Sequence, residues 1–188
     1  MAAPRYDTLR VAFVPGVTPT KWERIWRERR PPGRISLEPH TQAAALTALD
    51  AGEVHMALLR DIGADDERHA IQLYRESPVV VAPRGSLVAG LDDLSLAELT
   101  ELDDVTVQPV DLLDSDGSAA IELVAANVGV AVMPQSVARA LSRKDVVARP
   151  LRDAPDTGIA LVWPVAHPHP LCDEFIGIVR GRTANSSR

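Results

Sequence analysis

Small polar residues stand at the beginnings of several predicted helices in this sequence of 188 residues. The first turn of a helix carries backbone N–H groups without intrahelical partners and a partial positive charge, so it suits an anion such as a carboxylate. Threonine hydroxyls and a glutamine amide at such positions add further hydrogen-bond donors. The candidate ligand-binding residues at these helix starts are Thr18, Pro19, Thr20, Thr41, Gln42, Ser115, Pro134 and Gln135.

Two arginines could supply a positive charge to the same ligand. Arg60 and Arg84 each follow a predicted strand, and a guanidinium can hold a carboxylate through two parallel hydrogen bonds. The alternative interpretation is that both are ordinary surface charges. In the same way, Thr18 and Thr41 could act only as helix caps.

Catalytic and metal-binding motifs are absent from the sequence. It contains no nucleophile elbow, phosphate-binding loop or dinucleotide fingerprint. The acidic pairs Asp92-Asp93 and Asp103-Asp104 fall in polar loops. The segment 167–172 (His-Pro-His-Pro-Leu-Cys) is a weak metal candidate, because no second Cys/His pair accompanies it. We therefore predict no enzyme activity, no metal site and no cofactor.

A basic segment with two tryptophans covers residues 21–34. One hypothesis is contact with RNA or DNA, with Trp22 and Trp26 stacking on bases. The alternative is a solvated helix face with Glu23 and Glu28 interleaved, and with the tryptophans in the core or in a dimer interface. The net charge of −6 favours the second interpretation, since nucleic-acid binding needs a positive field. The basic residues are Lys21, Arg24, Arg27, Arg29, Arg30 and Arg34.

The composition is that of a globular protein. Hydrophobic residues make up 46% of the chain and aromatic residues only 4%, so aliphatic side chains must fill the core. The single cysteine, Cys172, excludes an internal disulfide. We find no secretory signal and no membrane-spanning run. We therefore expect a cytoplasmic protein without membrane contact, folded as one domain or two small lobes.

Strands and helices alternate along the first half of the chain. Apolar runs at 9–15, 35–40 and 54–59 are predicted strands, and two further strands follow at 71–74 and 78–82. The first helix begins either at Thr18 with Pro19 or at a Thr20–Glu23 capping box, and it ends at 31–33 (Pro-Pro-Gly). A second helix follows Thr41-Gln42 and ends at Gly52. This alternation predicts a parallel sheet with two buried faces.

The pattern restarts after residues 83–86. Helix 96–102 begins with a Ser95–Glu98 capping box. We predict further strands at 105–110, 128–133, 146–151 and 159–163, further helices at 119–126, 135–141 and 171–179, and a disordered tail at 183–188.

Five stretches in this order resemble the effector-binding domain of LysR-type transcriptional regulators. They are 9–22, 41–59 (TQAAALTALDAGEVHMALL), 77–87 (SPVVVAPRGSL), 121–139 (IELVAANVGVAVMPQSVAR) and, more weakly, the strand 159–163 with the turn and helix that follow it. The resemblance implies an α/β fold with two lobes, like that of type 2 periplasmic-binding proteins. Each lobe is then a small, mostly parallel sheet flanked by helices, and two hinge crossovers at 81–84 and 157–162 join the lobes.

The resemblance also implies boundaries and a role. Lobe I would comprise residues 1–83 and 160–182, and lobe II residues 84–159. The helix starts at 18–20, 41–42 and 134–136 match positions where the family contacts its effectors. The expected partner is a small polar or anionic molecule, with a carboxylate favoured, whose binding closes the lobes. The family's dimers imply a homodimer, for which Trp22 and Trp26 are our candidate interface residues, and a protein partner is possible.

Three features depart from the family pattern. The first predicted strand already begins at Leu9, so we expect no helix-turn-helix of the family's kind within this sequence. The stretch 102–118 is shorter by about one helix and one strand. His55 replaces a usual acidic residue. The shortened lobe II keeps a second hypothesis open, a protein-interaction module with a degenerate ligand cleft. An enzyme on the same scaffold is a third hypothesis.

Overall fold

The computed structural model describes residues 8–29, 33–103 and 105–181. The described chain divides into two compact units. The first contains the residues up to Tyr74 and those from Ile159 onward, and the second runs from Arg75 to Gly158. The predicted end of the first helix at Arg30, Pro31 and Pro32, the acidic residue Asp104 and the predicted disordered tail 183–188 lie outside the described residues.

The elements follow the predicted alternation. The strands are β1 (Leu9–Phe13), β2 (Ile35–Pro39), β3 (Met56–Arg60), β4 (Arg68–Glu76), β5 (Pro78–Pro83), β6 (Leu94–Ser95), β7 (Val107–Gln108), β8 (Val130–Pro134), β9 (Val146–Arg152) and β10 (Thr157–Pro164). The helices are α1 (Thr20–Arg29), α2 (Gln42–Asp50), α3 (Leu96–Glu101), α4 (Ser118–Ala125), α5 (Gln135–Ala140) and α6 (Cys172–Val179), with a 3-10 turn at Val88–Gly90. None of the described helices is long and apolar enough to span a bilayer.

The first unit is built on a sheet with the strand order β2-β1-β3-β10-β4. β1 is parallel to both β2 and β3, and Phe13 lies opposite Pro39 on one side and Leu58 on the other. β10 returns from the second unit and runs antiparallel to β3. The predicted parallel arrangement therefore holds for β1, β2 and β3, while the returning strand makes the sheet mixed.

The core of the first unit contains Trp26. Its side chain is 2% exposed, its ring lies 6.2 Å from the ring of Phe175, and its Nε1 donates a hydrogen bond to the Gly33 carbonyl at 3.2 Å. A side chain enclosed in this way cannot reach a second chain, so the prediction that places Trp26 in a dimer interface is wrong. Trp22 is half-buried and packs against the edge of the same core.

The second unit is built around β5, in the order β6-β9-β5-β8-β7. β5 runs antiparallel to β8 and β9, whereas the outer pairs β7–β8 and β6–β9 are parallel. Successive side chains of a strand point to opposite faces. Val79 and Val81 accordingly join one apolar cluster, and Val80 and Ala82 join another. The predicted boundary after residue 83 assigned β5 to lobe I, whereas the strand lies at the centre of the second sheet.

In the second unit, some elements predicted from local sequence are present and others are shorter than predicted. The predicted capping box of α3 is present, because Ser95 Oγ accepts the Glu98 N–H at 3.1 Å and Glu98 Oε2 accepts the Ser95 N–H at 2.6 Å. The predicted strand 105–110 is reduced to the two residues of β7. The short β6 has no periodic signal, since two residues cannot show an alternation.

Candidate functional site

The carboxyl ends of three parallel strands meet at one edge of the first sheet, which we call the carboxyl edge. β1, β2 and β3 end there, and the loops that follow them lead to α1, to α2 and to residue 61 onward. In open α/β sheets, ligands collect outside the carboxyl ends of the strands. The carboxyl edge is therefore the part of the first unit where a ligand is expected.

The start of α1 leaves two hydroxyls exposed. The helix begins at Thr20, and the Pro19 carbonyl accepts the N–H groups of Trp22 at 2.9 Å and Glu23 at 3.1 Å. Thr20 is therefore the first helical residue and not the N-cap that the predicted Thr20–Glu23 capping box requires, and Glu23 pairs with Arg27 at 3.5 Å. Pro19 is buried, whereas Thr18 and Thr20 are exposed. In the part of the chain that the structure describes, neither threonine hydroxyl makes a hydrogen bond.

Thr41 and Gln42 at the start of α2 have different roles. Thr41 caps the helix, because its Oγ1 accepts the Ala44 N–H at 3.3 Å. Gln42 turns to the end of β3. Its Nε2 donates to the Arg60 carbonyl and its Oε1 accepts the Arg60 N–H, both at 2.9 Å. Because β1 ends at Phe13, opposite Leu58, the Gln42 amide takes the place that a longer β1 would occupy beside Arg60. Gln42 is thus a positioning residue for β3.

Arg60 connects the loops of the carboxyl edge. It is the last residue of β3, it is 5% exposed, and its Nη2 donates to the Pro15 carbonyl at 3.1 Å. A buried guanidinium is costly unless polar partners offset the loss of water, and the Pro15 carbonyl is one such partner. Through Gln42 and Pro15, Arg60 holds the loops before α2 and α1 at the same edge.

The second unit has a comparable edge after β7 and β8. Ser115 lies in the loop between β7 and α4, where its Oγ donates to the Asp111 carbonyl at 2.5 Å and accepts the Gly117 N–H at 3.2 Å. Hydrogen bonds from the Ser118 side chain and backbone lower the pKa of Asp116. Gly117 has φ +82°, and a Cβ there would lie 3.1 Å from Leu112 Cδ2, so the close-packed turn requires glycine.

The same edge includes the start of α5. Pro134 is buried at the end of β8, and the Gln135 N–H donates to the Ser77 carbonyl at 3.0 Å. Ser136 Oγ is buried and has no hydrogen-bond partner within the described residues. The polar start 134–136 was visible in the sequence, but nothing in it singled out Ser136.

A model of the LysR substrate binding domain family matches residues 4–113 and 109–184 of the sequence. The chain belongs to the LysR substrate-binding-domain family. The two matched segments meet at 109–113, inside the stretch that we expected to be shortened. A comparison with curated protein sequences finds no match.

Solved structures of low sequence identity share the fold of this LysR substrate-binding domain. The BenM effector-binding domain with its effector benzoate has a TM-score of 0.74 at 18% identity, over 93% of this chain and 91% of that one. The reduced OxyR regulatory domain from Pseudomonas aeruginosa has 0.70 at 16%, over 94% and 98%. Full-length CbnR in complex with its target DNA has 0.72 at 19%, over 93% of this chain and 70% of that one. Domains of this family serve as effector-binding regulatory parts of transcription regulators.

Within the second unit of this LysR domain, Arg84 lies away from the start of α5. Its Nε donates to the Lys144 carbonyl at 2.7 Å and its Nη2 to the Val146 carbonyl at 3.3 Å. In the register of β5, Pro83 lies opposite Val146, whereas Pro78 lies opposite Pro134. The full length of β5 therefore separates Arg84 from the start of α5. β5 runs antiparallel to β8, so Arg84 and the start of α5 do not share one site in the second unit, and Arg84 as a ligand contact stays a prediction.

The remaining chemistry-bearing residues belong to the first unit. Cys172 is buried in the core, and burial raises the pKa of its thiol to about 11. Among the described residues, no three His, Cys, Asp or Glu side chains are placed to hold a metal ion. On the basic segment, Arg24 pairs with Glu28 at 3.4 Å and Arg27 with Glu23 at 3.5 Å. This part of α1 is the solvated face with interleaved charges that the sequence offered as an alternative.

Proposed function

We propose that this domain binds a small effector molecule, with a carboxylate favoured, and thereby controls a transcription regulator in the cytoplasm. The family membership supports the general role. The net charge of −6 supports the further proposal that the chain itself makes no direct contact with nucleic acid.

We place the ligand in the first unit at the carboxyl edge. The observation that carries this proposal is the set of hydrogen bonds from Gln42 to Arg60 and from Arg60 to Pro15, which holds two helix starts and a guanidinium at one edge. The exposed hydroxyls of Thr18 and Thr20 lie at the start of α1, and Thr41 caps α2. Positive charge together with several donors suits a carboxylate. For the second unit, Ser115, Pro134 and Gln135 stay predicted contacts.

Regulation follows if the ligand distinguishes two conformations. A ligand shifts an equilibrium only by the difference between its affinities for the two states. We propose that the effector favours one arrangement of the domain and that this change is passed to the regulator. The alternative, a protein-interaction module without a ligand, predicts self-association or complex formation but no small-molecule binding.

Titration calorimetry with paired ligands tests the proposal. The BenM domain, which shares the fold, holds benzoate, so the panel begins with benzoate and continues with small aliphatic carboxylates. The uncharged amide of each acid serves as its control. We expect heat from at least one carboxylate and none from its amide, because the amide lacks the charge that the helix starts and Arg60 favour.

Threonine variants locate the binding site. Thr18→Val removes an exposed hydroxyl without removing a protein hydrogen bond, so the free energy of unfolding should stay unchanged. Loss of one ligand hydrogen bond of about 1 kcal/mol weakens binding about fivefold. Thr106→Val, at an exposed position just before β7 in the second unit, is the matched control and should leave affinity unchanged. Absence of heat for every carboxylate would overturn the proposed ligand class. Equal affinity of the Thr18 variant would remove that residue from the site.

A further inference from the structure

Two histidine rings stack at the edge of the first sheet opposite the carboxyl edge. His55 directly precedes β3, and His169 lies in the loop between β10 and α6. Their ring centroids are 4.2 Å apart and their planes are inclined by 25°. Both rings line a cavity of about 570 Å³, together with Asp50, His167 and apolar residues of the α2–β3 and β10–α6 segments. The pair therefore connects the start of β3 to the loop 165–171.

Each imidazole accepts a backbone hydrogen bond at Nδ1. The Arg10 N–H donates to His55 Nδ1 at 3.0 Å, and the Leu171 N–H donates to His169 Nδ1 at 3.2 Å. A nitrogen that accepts a hydrogen bond carries no proton, so both rings are neutral and hold their proton at Nε2. This arrangement also disfavours metal binding. An imidazole that binds a metal through Nε2 donates a hydrogen bond from Nδ1, whereas Nδ1 accepts one in both of these rings.

His169 also determines where α6 begins. Its carbonyl accepts the Cys172 N–H at 2.9 Å, while its Nδ1 accepts the Leu171 N–H. On the other side of the stack, the His55 N–H donates to the Arg10 carbonyl at 2.9 Å, so His55 and Arg10 exchange two hydrogen bonds. His167 has φ +52°, a conformation that costs a residue with a Cβ some free energy, so tertiary contacts must hold the loop.

The charges around the pair come from several elements. Arg10 of β1 reaches the Gly52 carbonyl at 3.4 Å and disfavours a second cation nearby. Asp50 of α2 would attract one, but it is held by Arg68 of β4, whose Nη2 lies 2.9 Å from Asp50 Oδ1. The other titratable groups on these segments are Glu53 before β3, His167 in the loop and Asp173 and Glu174 in the first turn of α6.

We propose that the His55–His169 stack is a proton-operated latch. At neutral pH it holds the loop 165–171 against the start of β3. Protonation of either ring puts a proton on Nδ1, breaks the bond from Arg10 or Leu171 and brings a cation against the stacked partner. The loop is then released and the cavity opens. This inference does not depend on the proposed effector site, which lies at the opposite edge of the sheet.

The direction of the pH dependence follows from the neutral rings. The closed state excludes the proton, so closure is fully stable well above the ordinary imidazole range and weakens as the pH falls through about 6.5. At pH 5.5, one unit below that range, an excluded proton reduces the closed-to-open ratio about tenfold per ring.

Hydrogen exchange of the full chain, followed by NMR at pH 7.5 and 5.5, tests the latch. After correction for the intrinsic exchange rates, the protection factors of the Arg10 and Leu171 amides should fall about tenfold or more. Amides in β8, in the second unit, should keep their protection. Undiminished protection of Arg10 and Leu171 at pH 5.5 would overturn the proposal.

Asparagine variants separate titration from structure. The Asn Oδ1 lies about where histidine Nδ1 lies and accepts an N–H, but it does not titrate. The double variant H55N/H169N should keep its amide protection at pH 5.5. H167N changes a histidine of the same loop outside the stack, so it should open like the wild type. If H55N/H169N opens on acidification to the same extent, the proton acts elsewhere and the latch is disproved. The wild-type measurement stands even if a variant fails to fold.

Discussion

Cys172 illustrates how its surroundings determine what a reactive residue can do. The thiol lies in the core at the start of α6, and burial raises its pKa to about 11. The thiolate is the nucleophile in alkylation and in disulfide exchange. At pH 8, three units below this pKa, only about one thiol in a thousand is ionised. We therefore do not assign Cys172 a redox role.

The first residue-scale prediction concerns this thiol. With a small alkylating reagent at pH 8, folded protein should react at least about a hundredfold more slowly than glutathione, because both the low thiolate fraction and burial oppose the reaction. Unfolding in urea should bring the rate close to that of glutathione. Rapid alkylation of the folded protein, measured by mass spectrometry, would show that Cys172 is accessible.

Several residue assignments could be made from the sequence, and others could not. Thr41 as a cap and the Ser95–Glu98 capping box depend on neighbouring residues, which the sequence displays directly. Gln42 was expected to face a ligand, yet its amide bonds to Arg60, 18 residues away. For Trp26 the sequence left the core and a dimer interface open, and the residue lies in the core. Such placements depend on contacts between segments that are distant in the sequence, and the pattern of neighbouring residues does not indicate these contacts.

At the scale of elements, strand direction decides which loops meet. β1, β2 and β3 are parallel, so the loops before α1 and α2 lie at one edge, as the alternation predicts. Arg84 also follows a strand, but that strand, β5, is antiparallel to both of its neighbours. The end of β5 therefore lies at the edge of the second sheet opposite the start of α5. Apolar runs indicate that a strand is buried, but they do not indicate its direction.

The junction between α2 and β3 gives an element-scale prediction. Gln42→Ala removes two hydrogen bonds of 2.9 Å to the Arg60 backbone, so we expect a loss of about 2 kcal/mol in the free energy of unfolding at about 1 kcal/mol each. Gln72→Ala is the matched control. It removes one exposed bond to the Ile62 carbonyl and should cost less than about 1 kcal/mol. Equal losses in urea denaturation would mean that Gln42 does not support β3.

At the scale of the whole molecule, both units use the same arrangement of strands and helix starts, but one strand of the second unit is very short. Each places helix starts at the edge where parallel strands end. In the second unit, however, β7 has only two residues, and the family model divides at 109–113 beside it. The lobe boundaries depended on which sheet contains β5, and that depends on pairing across 50 residues or more, from Val79 to Met133 for example. Order and type of the elements were therefore more predictable than the division into units.

The positions of the two tryptophans of α1 lead to a prediction about self-association of the whole chain. Trp22 is half-buried on α1, so it stays our candidate for a homodimer interface, while Trp26 supports the core. Light scattering should show a dimer, and Trp22→Ala should shift it towards monomer while the protein stays folded. Trp163→Ala, which also removes a half-buried tryptophan of the first unit, should leave the dimer intact. Trp26→Ala should instead destabilise the fold by about 3–5 kcal/mol, because it leaves a cavity in the core. A wild-type chain that is monomeric at every concentration would contradict the dimer, and the half-buried face of Trp22 would then only complete the packing of α1.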